Sequence, residues 1–390
     1  MIQKIEYLIK HNAFVQKLYV TLMSCFFRIV GLFNQPDPCQ IMFQSMIGKT
    51  YGDSPKVLYD QIRSDPAFAN YKYVWAFTEP NKFEVEGARK VKLNSFRYFV
   101  ETMHSGLWIT NVDMERGLHF KSSKTTYLNT WHGIPIKVLG NAQRNRNDYN
   151  YYDVDMLCCS STYEREIFIR DFNVPPEVIV QCGAPRNDEL YRITEKEKTA
   201  WREELGIPTN KKVLLYCPTW RDSLDGGNSY QIAPPLDVDY WEEQLGEEYV
   251  MLFRMHHLTT AMLGIQYNAF ARDVTAVQQI NKLLAIADVL ISDYSATIFD
   301  FCILEKPIVS FAYDYEEYSA SRGFYIKLDD LLPGRVFKTQ EEIIKHIQAM
   351  DYSEECAKTR IVKSRYVQTE GKATEVCMKY IKERLRIENT

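Results

Sequence analysis

Short apolar runs alternate with amphipathic segments along most of the chain from about Gln40. Runs rich in β-branched and aromatic residues predict strands, and apolar residues at helical spacing predict the helices between them. In the first half, the predicted strands are Ile41–Phe43, Lys72–Phe77, Ala88–Leu93, Leu107–Thr110, Thr125–Thr130, Met156–Ser160 and Val178–Cys182, and the predicted helices are Pro55–Ser64, Ser95–Met103 and Thr162–Phe172. This alternation indicates an α/β fold with a mostly parallel sheet covered on both faces.

The alternation stops after Gly183 and restarts near Lys212, beyond the charged stretch Thr194–Glu204. The strands predicted in this second series are Lys212–Tyr216, Tyr249–Phe253, Ala271–Val274, Val289–Ser292 and Ile308–Ala312, and the helices are Leu236–Gly246, Gln279–Ala287, Ser295–Glu305 and Glu341–Met350. We therefore expect two lobes, residues 34–190 and 191–350, with a ligand-binding cleft between them. Residues 351–390 are expected to be mostly helical and to fold back across the lobes.

Residues 1–33 combine apolar residues at helical spacing with an excess of basic side chains. This pattern predicts an amphipathic helix, and a basic helix of this kind can lie in the interface of an anionic membrane. Packing against the domain or against a partner subunit explains the pattern equally well. Charged residues interrupt the first apolar stretch, so we expect neither a signal peptide nor a membrane-spanning helix.

The bulk composition narrows the classes of partner. The 390 residues carry a net charge of −4 and 46% hydrophobic residues, as in an ordinary globular protein without the basic footprint of a nucleic-acid binder. Nine cysteines without C-x-x-C spacing favour a reducing cytosol over a disulfide framework or a zinc site. The D-x-D strings at Asp153 and Asp237 lack supporting ligands at a clear strand end, so we predict no metal ion.

The strongest candidate for acid–base chemistry is His132, in the segment Thr130–Lys137 directly after a predicted strand. A histidine there can accept a proton near neutral pH, which makes it a candidate general base. In the second lobe, a helix is predicted to begin near Ser295, directly after a strand, with Thr297 in its first turn. Such a helix start can bind phosphate, although helix capping by Asp293 or Ser295 explains the same residues.

Basic residues follow other strands of the second lobe. Arg254 and His256 come after an apolar strand, where an arginine can pair with a phosphate and a histidine can donate to a phosphate oxygen or a leaving group. Neighbouring side chains leave a strand in opposite directions, so at most one of His256 and His257 should enter the cleft. Arg221 and Arg322 are further candidates, and a structural role stays open for each.

Taken in order, these strings resemble the CDP-glycerol:poly(glycerophosphate) glycerophosphotransferases, the teichoic-acid primases and polymerases of bacterial cell-wall synthesis. The matching strings of the first lobe are Phe43-Gln44-Ser45, Gly48-Lys49, Ser54-Pro55-Lys56, Thr130-Trp131-His132-Gly133, Lys137 and Pro185-Arg186-Asn187-Asp188. Those of the second lobe are Pro218-Thr219-Trp220-Arg221-Asp222, Arg254-Met255-His256, Ser292-Asp293-Tyr294-Ser295, Phe299-Asp300 and Arg322-Gly323-Phe324-Tyr325. Together they cover the chain from about residue 40 to residue 350.

The resemblance implies a GT-B-like fold, in which two Rossmann-like lobes bind the acceptor (N-terminal lobe) and a CDP-alditol (C-terminal lobe). It also implies a reaction without metal or cofactor at the cytoplasmic face of the bacterial membrane. A hydroxyl of a lipid-linked teichoic-acid or capsule-type acceptor would attack the alditol-bearing phosphorus of CDP-glycerol or CDP-ribitol and release CMP. Glycerol phosphate is the transferred group that we expect first.

Site residues carry over by position. His132 matches the family's general base, and His256 matches its second essential histidine, which is expected to contact the pyrophosphate. The expected substrate-binding residues are Gly133, Lys137, Arg221, Arg254, Asp293, Tyr294, Ser295, Thr297 and Arg322. Two positions depart from the family pattern, since Ala296 stands where a second serine is frequent and His257 stands where an aromatic residue is usual.

Two other functions stay open at this point. One is a GT-B glycosyltransferase that uses a nucleotide sugar and releases a nucleoside diphosphate, and the other is a non-catalytic scaffold of a wall-assembly complex. The short chain favours a primase or short-chain transferase over a polymerase. The residues do not decide between glycerol and ribitol, between acceptors, or between a monomer and an oligomer.

Overall fold

Two β-sheets organise the protein. The computed structural model describes residues 13–144, 146, 149–219, 234–255 and 265–387. The strands of the first sheet are β1 (Asp37–Gln44), β2 (Lys72–Phe77), β3 (Ala88–Lys92), β4 (Ser105–Thr110), β5 (Thr126–Asn129), β6 (Met156–Cys159) and β7 (Ile179–Gln181). Those of the second sheet are β8 (Lys212–Cys217), β9 (Tyr249–Phe253), β10 (Ala271–Asp273), β11 (Val289–Ser292), β12 (Ile308–Phe311) and β13 (Val336–Phe337).

Both sheets are parallel, which confirms the α/β expectation. The first runs in the order β3-β2-β1-β4-β5-β6-β7, and the second in the order β10-β9-β8-β11-β12-β13. Each described strand pair has parallel register. Central strands such as β4, β9 and β11 are buried along their whole length, as near-continuous apolar strands require when helices cover both faces. In each sheet the direction of the strand order reverses next to the strand that comes first in the chain, between β1 and β4 in the first sheet and between β8 and β11 in the second. Ligands of open α/β sheets bind at the carboxyl edge near such a point.

Helices cover the sheets and connect the lobes. They are α1 (Ala13–Phe33), α2 (Asp53–Ser64), α3 (Phe96–His104), α4 (Thr162–Phe172), α5 (Glu195–Glu204), α6 (Val238–Leu245), α7 (Ile280–Ile286), α8 (Thr297–Cys302), α9 (Tyr315–Arg322), α10 (Leu328–Leu331), α11 (Gln340–Ala349), α12 (Tyr352–Tyr366) and α13 (Ala373–Leu385). A 3₁₀ helix, Pro185–Tyr191, follows the first sheet. The strand and helix predictions in both halves therefore agree with the structure to within a few residues.

Several elements were not predicted, among them α5, α9, the four-residue helix α10 and β13. The charged stretch before the second sheet forms α5, because Thr194 and Glu197 make a reciprocal capping box at its start. The strand β13 has only two residues, too few for a periodic signal. The helix α9 has no fully buried residue, so its sequence lacks the apolar stripe by which a helix is recognised.

The C-terminal helix α13 packs against the first sheet rather than the second. Its residues Cys377 and Ile381 are fully buried in the cluster that contains the β1 side chains Ile41 and Phe43. The Asp188 carboxylate accepts hydrogen bonds from the first two amide groups of α13, at 3.0 and 2.7 Å. A carboxylate is favourable there because the start of a helix carries a partial positive charge.

The helix α1 has one face on the first lobe and an exposed apolar face. Phe27 packs inward against Phe99 and Phe120, with ring centroids 5.3 and 4.7 Å apart. The exposed apolar residues of α1 include Leu18, Leu22, Ile29, Leu32 and Phe33. Among the helices that the structure describes, none has both the length and the apolar character that a membrane span needs.

Candidate active site between the lobes

A tight loop after β5 holds His132 in the cleft. The side-chain oxygen of Asn129 accepts a hydrogen bond from the Trp131 amide at 2.9 Å, and the Trp131 indole donates to the Gly133 carbonyl at 2.9 Å. Trp131 has a φ of 55°, an uncommon conformation that these two bonds hold in place. The loop therefore places His132 at the carboxyl edge of the first sheet.

The hydrogen bonding of His132 selects one tautomer. Its Nδ1 lies 2.7 Å from the carbonyl oxygen of Asn111. A carbonyl can only accept, so Nδ1 carries the proton, and Nε2 of the neutral ring keeps its lone pair. Burial lowers the pKa of His132 below its usual value, against the opposing effects of the Asn111 carbonyl and the nearby Asp53 carboxylate. A neutral imidazole with an available lone pair is what a general base requires.

The His132 loop touches the second lobe directly. Gly133 has a φ of 149°, and a Cβ at this position would lie 2.8 Å from the Cβ of Ala296. Ala296 precedes α8, so the predicted base and the predicted anion-binding helix start belong to the same interface. Glycine is required at 133 because no side chain fits between the lobes there.

A second contact between the lobes lies further along the same loop. Lys137 and Phe324 form an antiparallel bridge, and two backbone hydrogen bonds of 3.1 and 2.8 Å flank it. The Lys137 ammonium lies 5.9 Å from the centroid of the Tyr318 ring. Arg322, exposed at the end of α9, precedes the bridged segment. Lys137 and Arg322 therefore come from opposite lobes to one side of the cleft.

The segment before α8 combines structural and available polar groups. The Asp293 carboxylate accepts hydrogen bonds from the Thr219 amide at 2.8 and 3.0 Å, which joins the ends of β8 and β11. The buried Tyr294 hydroxyl donates to Asp314 at 2.8 Å. Ser295 and Thr297 are half-buried, and their hydroxyl oxygens are 2.9 Å apart. Asp293 and Tyr294 thus hold the turn, whereas Ser295 and Thr297 offer hydroxyls at the helix start.

Only some of the basic residues predicted for the second lobe lie in the described part of the chain. The guanidinium of Arg254 donates to the Val277 carbonyl, and burial lowers the pKa of Arg254. Its backbone amide donates to the Tyr216 carbonyl at 3.0 Å, so Arg254 lies at the carboxyl edge of the second sheet. Arg221 and His256 lie outside the described residues.

Three charged residues at this interface had no predicted role: Asp53, Arg186 and Asp300. The Arg186 guanidinium contacts Asp300 at 3.0 Å and Asp53 at 3.4 Å. Burial alone would lower the pKa of Arg186, but the two carboxylates outweigh burial and raise it. Arg186 and Asp300 belong to matched strings, yet the partners are 114 and 133 positions apart along the chain, so no local pattern pairs them.

Two groups of side chains in the described part of the chain bring metal-ligating atoms within 4.8 Å of one another. They are Cys158, Cys182 and Cys377, and Glu115, His119 and Asp153. In the first group the sulfur atoms of Cys158 and Cys377 are 3.6 Å apart, a convergence that the spacing of the cysteines does not reveal. Neither group contains a residue of the predicted site, and the expectation of metal-independent chemistry stays a prediction.

A comparison with protein families bears on this arrangement. The model of the CDP-Glycerol:Poly(glycerophosphate) glycerophosphotransferase family matches residues 26–383. The chain belongs to this family. The match includes both lobes and the His132 loop, so it confirms the resemblance drawn from the sequence strings.

Curated relatives of this chain are named as teichoic-acid polymerases and transferases. The chain is 35% identical over 336 residues to the teichoic acid poly(glycerol phosphate) polymerase of Staphylococcus epidermidis, covering 80% of this chain and 46% of that protein. It therefore spans about half the length of that relative. The teichoic acid glycerol-phosphate transferase of Staphylococcus aureus is 32% identical, with 81% and 85% coverage.

A solved structure has the same fold as this chain. The wall teichoic acid polymerase TagF superposes with a TM-score of 0.80 at 30% identity, over 95% of this chain and 96% of that one. The two parallel α/β lobes therefore form the GT-B-like fold that the sequence predicts.

Proposed function

We propose that this protein transfers glycerol phosphate from CDP-glycerol to a hydroxyl of a membrane-linked teichoic-acid or capsule-type acceptor. The acceptor oxygen attacks the phosphorus that bears the glycerol, the new P–O bond forms, and the bond to CMP breaks. The acceptor proton passes to Nε2 of His132, and CMP leaves with the bridging oxygen. The observation that carries this proposal is the hydrogen bond of Nδ1 to the Asn111 carbonyl, which leaves Nε2 of a neutral ring as proton acceptor.

The second lobe supplies the donor site in this proposal. Phosphoryl transfer depends mainly on positioning and on groups that stabilise the charge of the phosphates. Ser295 and Thr297 offer hydroxyls next to the Gly133 contact, and Lys137 and Arg322, one from each lobe, supply positive charge near the bridge between the lobes. The proposed substrate site also includes Gly133, Arg221, Arg254, Asp293, Tyr294 and His256. No divalent ion is required, and activity should survive chelation by EDTA.

The exposed apolar face of α1 supports a peripheral position at the membrane. Leu18 and Leu22 are exposed on this helix, which also carries Lys17 and Arg28. Apolar side chains beside basic ones bind an interface with anionic lipids. We place the protein at the cytoplasmic face of the bacterial cell membrane, where its lipid-linked acceptor and its nucleotide donor can both reach the cleft.

The decisive assay measures the nucleotide product. The protein is incubated with CDP-glycerol or CDP-ribitol and candidate lipid-linked acceptors, and CMP release is followed. His132→Ala should lower turnover by about 10²- to 10⁴-fold, the usual contribution of a general base, while CDP-glycerol binding is retained. His104→Ala is the matched control, because its Nδ1 also lies 2.8 Å from a carbonyl, that of Gln35, outside the cleft. Full turnover in His132→Ala, or release of a nucleoside diphosphate in place of CMP, would contradict the proposal.

Membrane binding is tested separately on the full chain. Co-sedimentation with phosphatidylcholine vesicles, with and without phosphatidylserine, should show binding that depends on the anionic lipid. The double variant Leu18→Glu, Leu22→Glu should lose this binding. Ile361→Glu is the control, since Ile361 is an exposed apolar residue on α12. Equal binding of the double variant and the control variant would contradict the membrane role of α1.

A further inference from the structure

Arg186 joins the two lobes through its side chain. Its Nη2 donates to both carboxylate oxygens of Asp300, each at 3.0 Å, and its Nη1 faces the carboxylate of Asp53 at 3.4 and 3.5 Å. Asp53 begins α2 in the first lobe, and Asp300 lies in α8 in the second. The contacts to Asp300 are therefore shorter and better formed than those to Asp53.

The backbone of Arg186 is held by both lobes as well. Its amide donates to the Ser54 hydroxyl at 3.2 Å, and its carbonyl accepts from the Asn281 side chain at 2.6 Å. The side-chain Nδ2 of the neighbouring Asn187 donates to Asp300 at 2.6 Å. Asp300 thus has three short hydrogen bonds from this segment, so relative movement of the lobes must change how Arg186 divides between the two carboxylates.

The side chains of Asp53, Arg186, Asp300 and His132 carry a net charge of about −1 while His132 is neutral. Two carboxylates surround one guanidinium, and the side chains of Asp53, Arg186 and Asp300 are 16%, 9% and 13% exposed. The Arg186 guanidinium lies beside the His132 loop, since its Nη2 would be 3.9 Å from a Cβ on Gly133. The charge of Asp53 raises the pKa of His132, and the charge of Arg186 lowers it. A proton on His132 would bring the four groups to neutrality, and charges interact strongly in so enclosed a place.

One further acid interacts electrostatically with the same arginine. Glu164 is buried on α4, and its charge and that of Arg186 act on each other. Burial raises the pKa of Glu164 to about 7, so it holds a proton for part of the neutral range. Among the described residues, Asp53 and Arg186 act on His132 directly, and Asp300 and Glu164 act through Arg186.

We propose that Asp53 is a positioning residue that stabilises the protonated form of His132, and that the Arg186–Asp300 pair makes this support depend on closure of the lobes. With the lobes closed, Asp300 holds Arg186, and the Asp53 charge acts on His132. With the lobes apart, Arg186 pairs fully with Asp53 and cancels that charge. His132 would thus be a better proton acceptor when the donor lobe is docked. This inference rests on the proposed role of His132 as the base.

The test is an NMR titration of the histidine rings in the full-length protein, with the His132 signals assigned by their loss in His132→Ala. Asp53→Asn should lower the pKa of His132, because an opposite charge is removed while the hydrogen bond to the Ser54 amide can be kept. Arg186→Gln should raise it, because a like charge is removed. Asp300→Asn should lower it, because Arg186 then pairs with Asp53.

The same three variants are assayed for the pH dependence of kcat/KM. The acid limb should move in the direction of each NMR shift, and kcat of Asp53→Asn should fall about tenfold or more at neutral pH with little change in KM for CDP-glycerol. Asp65→Asn, which loses the ion pair to Lys382 away from the cleft, is the control and should shift neither measurement.

Each outcome is decisive. Shifts of the same sign in Asp53→Asn and Arg186→Gln, or no shift in Asp53→Asn, would overturn the proposal. If Arg186→Gln does not fold, the Asp53→Asn titration alone decides. NMR shifts with the expected signs and an unmoved acid limb would instead show that Asp53 tunes His132 while His132 is not the base, which separates failure of the proposed function from failure of this inference.

Discussion

Substitution of Gly133 by alanine tests whether direct contact between the lobes at His132 matters for catalysis. The added Cβ would lie 2.8 Å from the Cβ of Ala296, whereas carbon atoms in good contact are about 3.5 to 4.0 Å apart. The lobes or the His132 loop must therefore move by about 1 Å. Overpacking of this kind costs about 1–3 kcal/mol, and the φ of 149° adds conformational strain for alanine of similar size.

The substitution should slow catalysis in a protein that still folds. A displacement of about 1 Å at a reacting group lowers the rate by about 10²-fold, because acceptor, base and phosphorus no longer align. CMP release from CDP-glycerol should therefore fall by about two orders of magnitude in Gly133→Ala. The melting temperature should fall by roughly 5 °C, since the two costs together come to about 4 kcal/mol and each kcal/mol shifts the melting temperature of a chain of this size by about 1 °C.

Two further variants distinguish the steric clash with the Ala296 Cβ from the backbone strain at position 133. Gly133→Ala combined with Ala296→Gly removes the opposing Cβ and should recover most of the lost rate. Gly334→Ala is the control, since Gly334 also has a positive φ, 68°, but nothing lies within 4 Å of the added Cβ. If the double variant stays as slow as Gly133→Ala, or if Gly133→Ala keeps full turnover, the reasoning from the lobe contact is wrong.

Three other substitutions probe buried polar contacts of the fold. Tyr325→Phe removes the hydroxyl that donates to Asp171 at 2.6 Å across the lobes, and urea unfolding should show a loss of about 1.5–3 kcal/mol. Burial raises the pKa of Glu164 from 4.5 to about 7, so the folded state holds this proton more tightly than the unfolded state. Wild-type stability should therefore decrease by about 3 kcal/mol as the pH rises from 4.5 to 7, and Glu164→Gln should remove this decrease in thermal scans. Arg335→Met leaves the buried Glu355 without its arginine and should destabilise by about 3 kcal/mol, most of it recovered by adding Glu355→Met; additive losses would contradict the pairing.

Local patterns predicted the elements well where the pattern was strong. The strand Lys72–Phe77 and the helix Thr162–Phe172 have the predicted bounds, because burial of an apolar strand or of one helix face leaves a period in adjacent residues. The two-residue strand β13 and the poorly buried helix α9 left no such period. Their positions follow from packing on neighbouring elements.

The features of the candidate site also divide into those that the local sequence predicts and those that it does not. The position of His132 could be predicted from the sequence, because a residue directly after a strand lies at the edge where α/β folds bind ligands. The structural roles of Asp293 and Tyr294 could not be separated from the available hydroxyls of Ser295 and Thr297. Their partners, Thr219 and Asp314, meet them only after the sheet and its loops have formed.

The sequence by itself determined the order of strands and helices, the two-lobed α/β class and the family, because these depend on residues close together in the chain and on strings that stay in order. Only the tertiary structure decided that Asn111 sets the tautomer of His132, that Gly133 meets Ala296, and that Arg186 divides between Asp53 and Asp300. These contacts join residues of different elements or lobes. Their geometry follows from how the sheets twist and how the lobes dock, which no local period records.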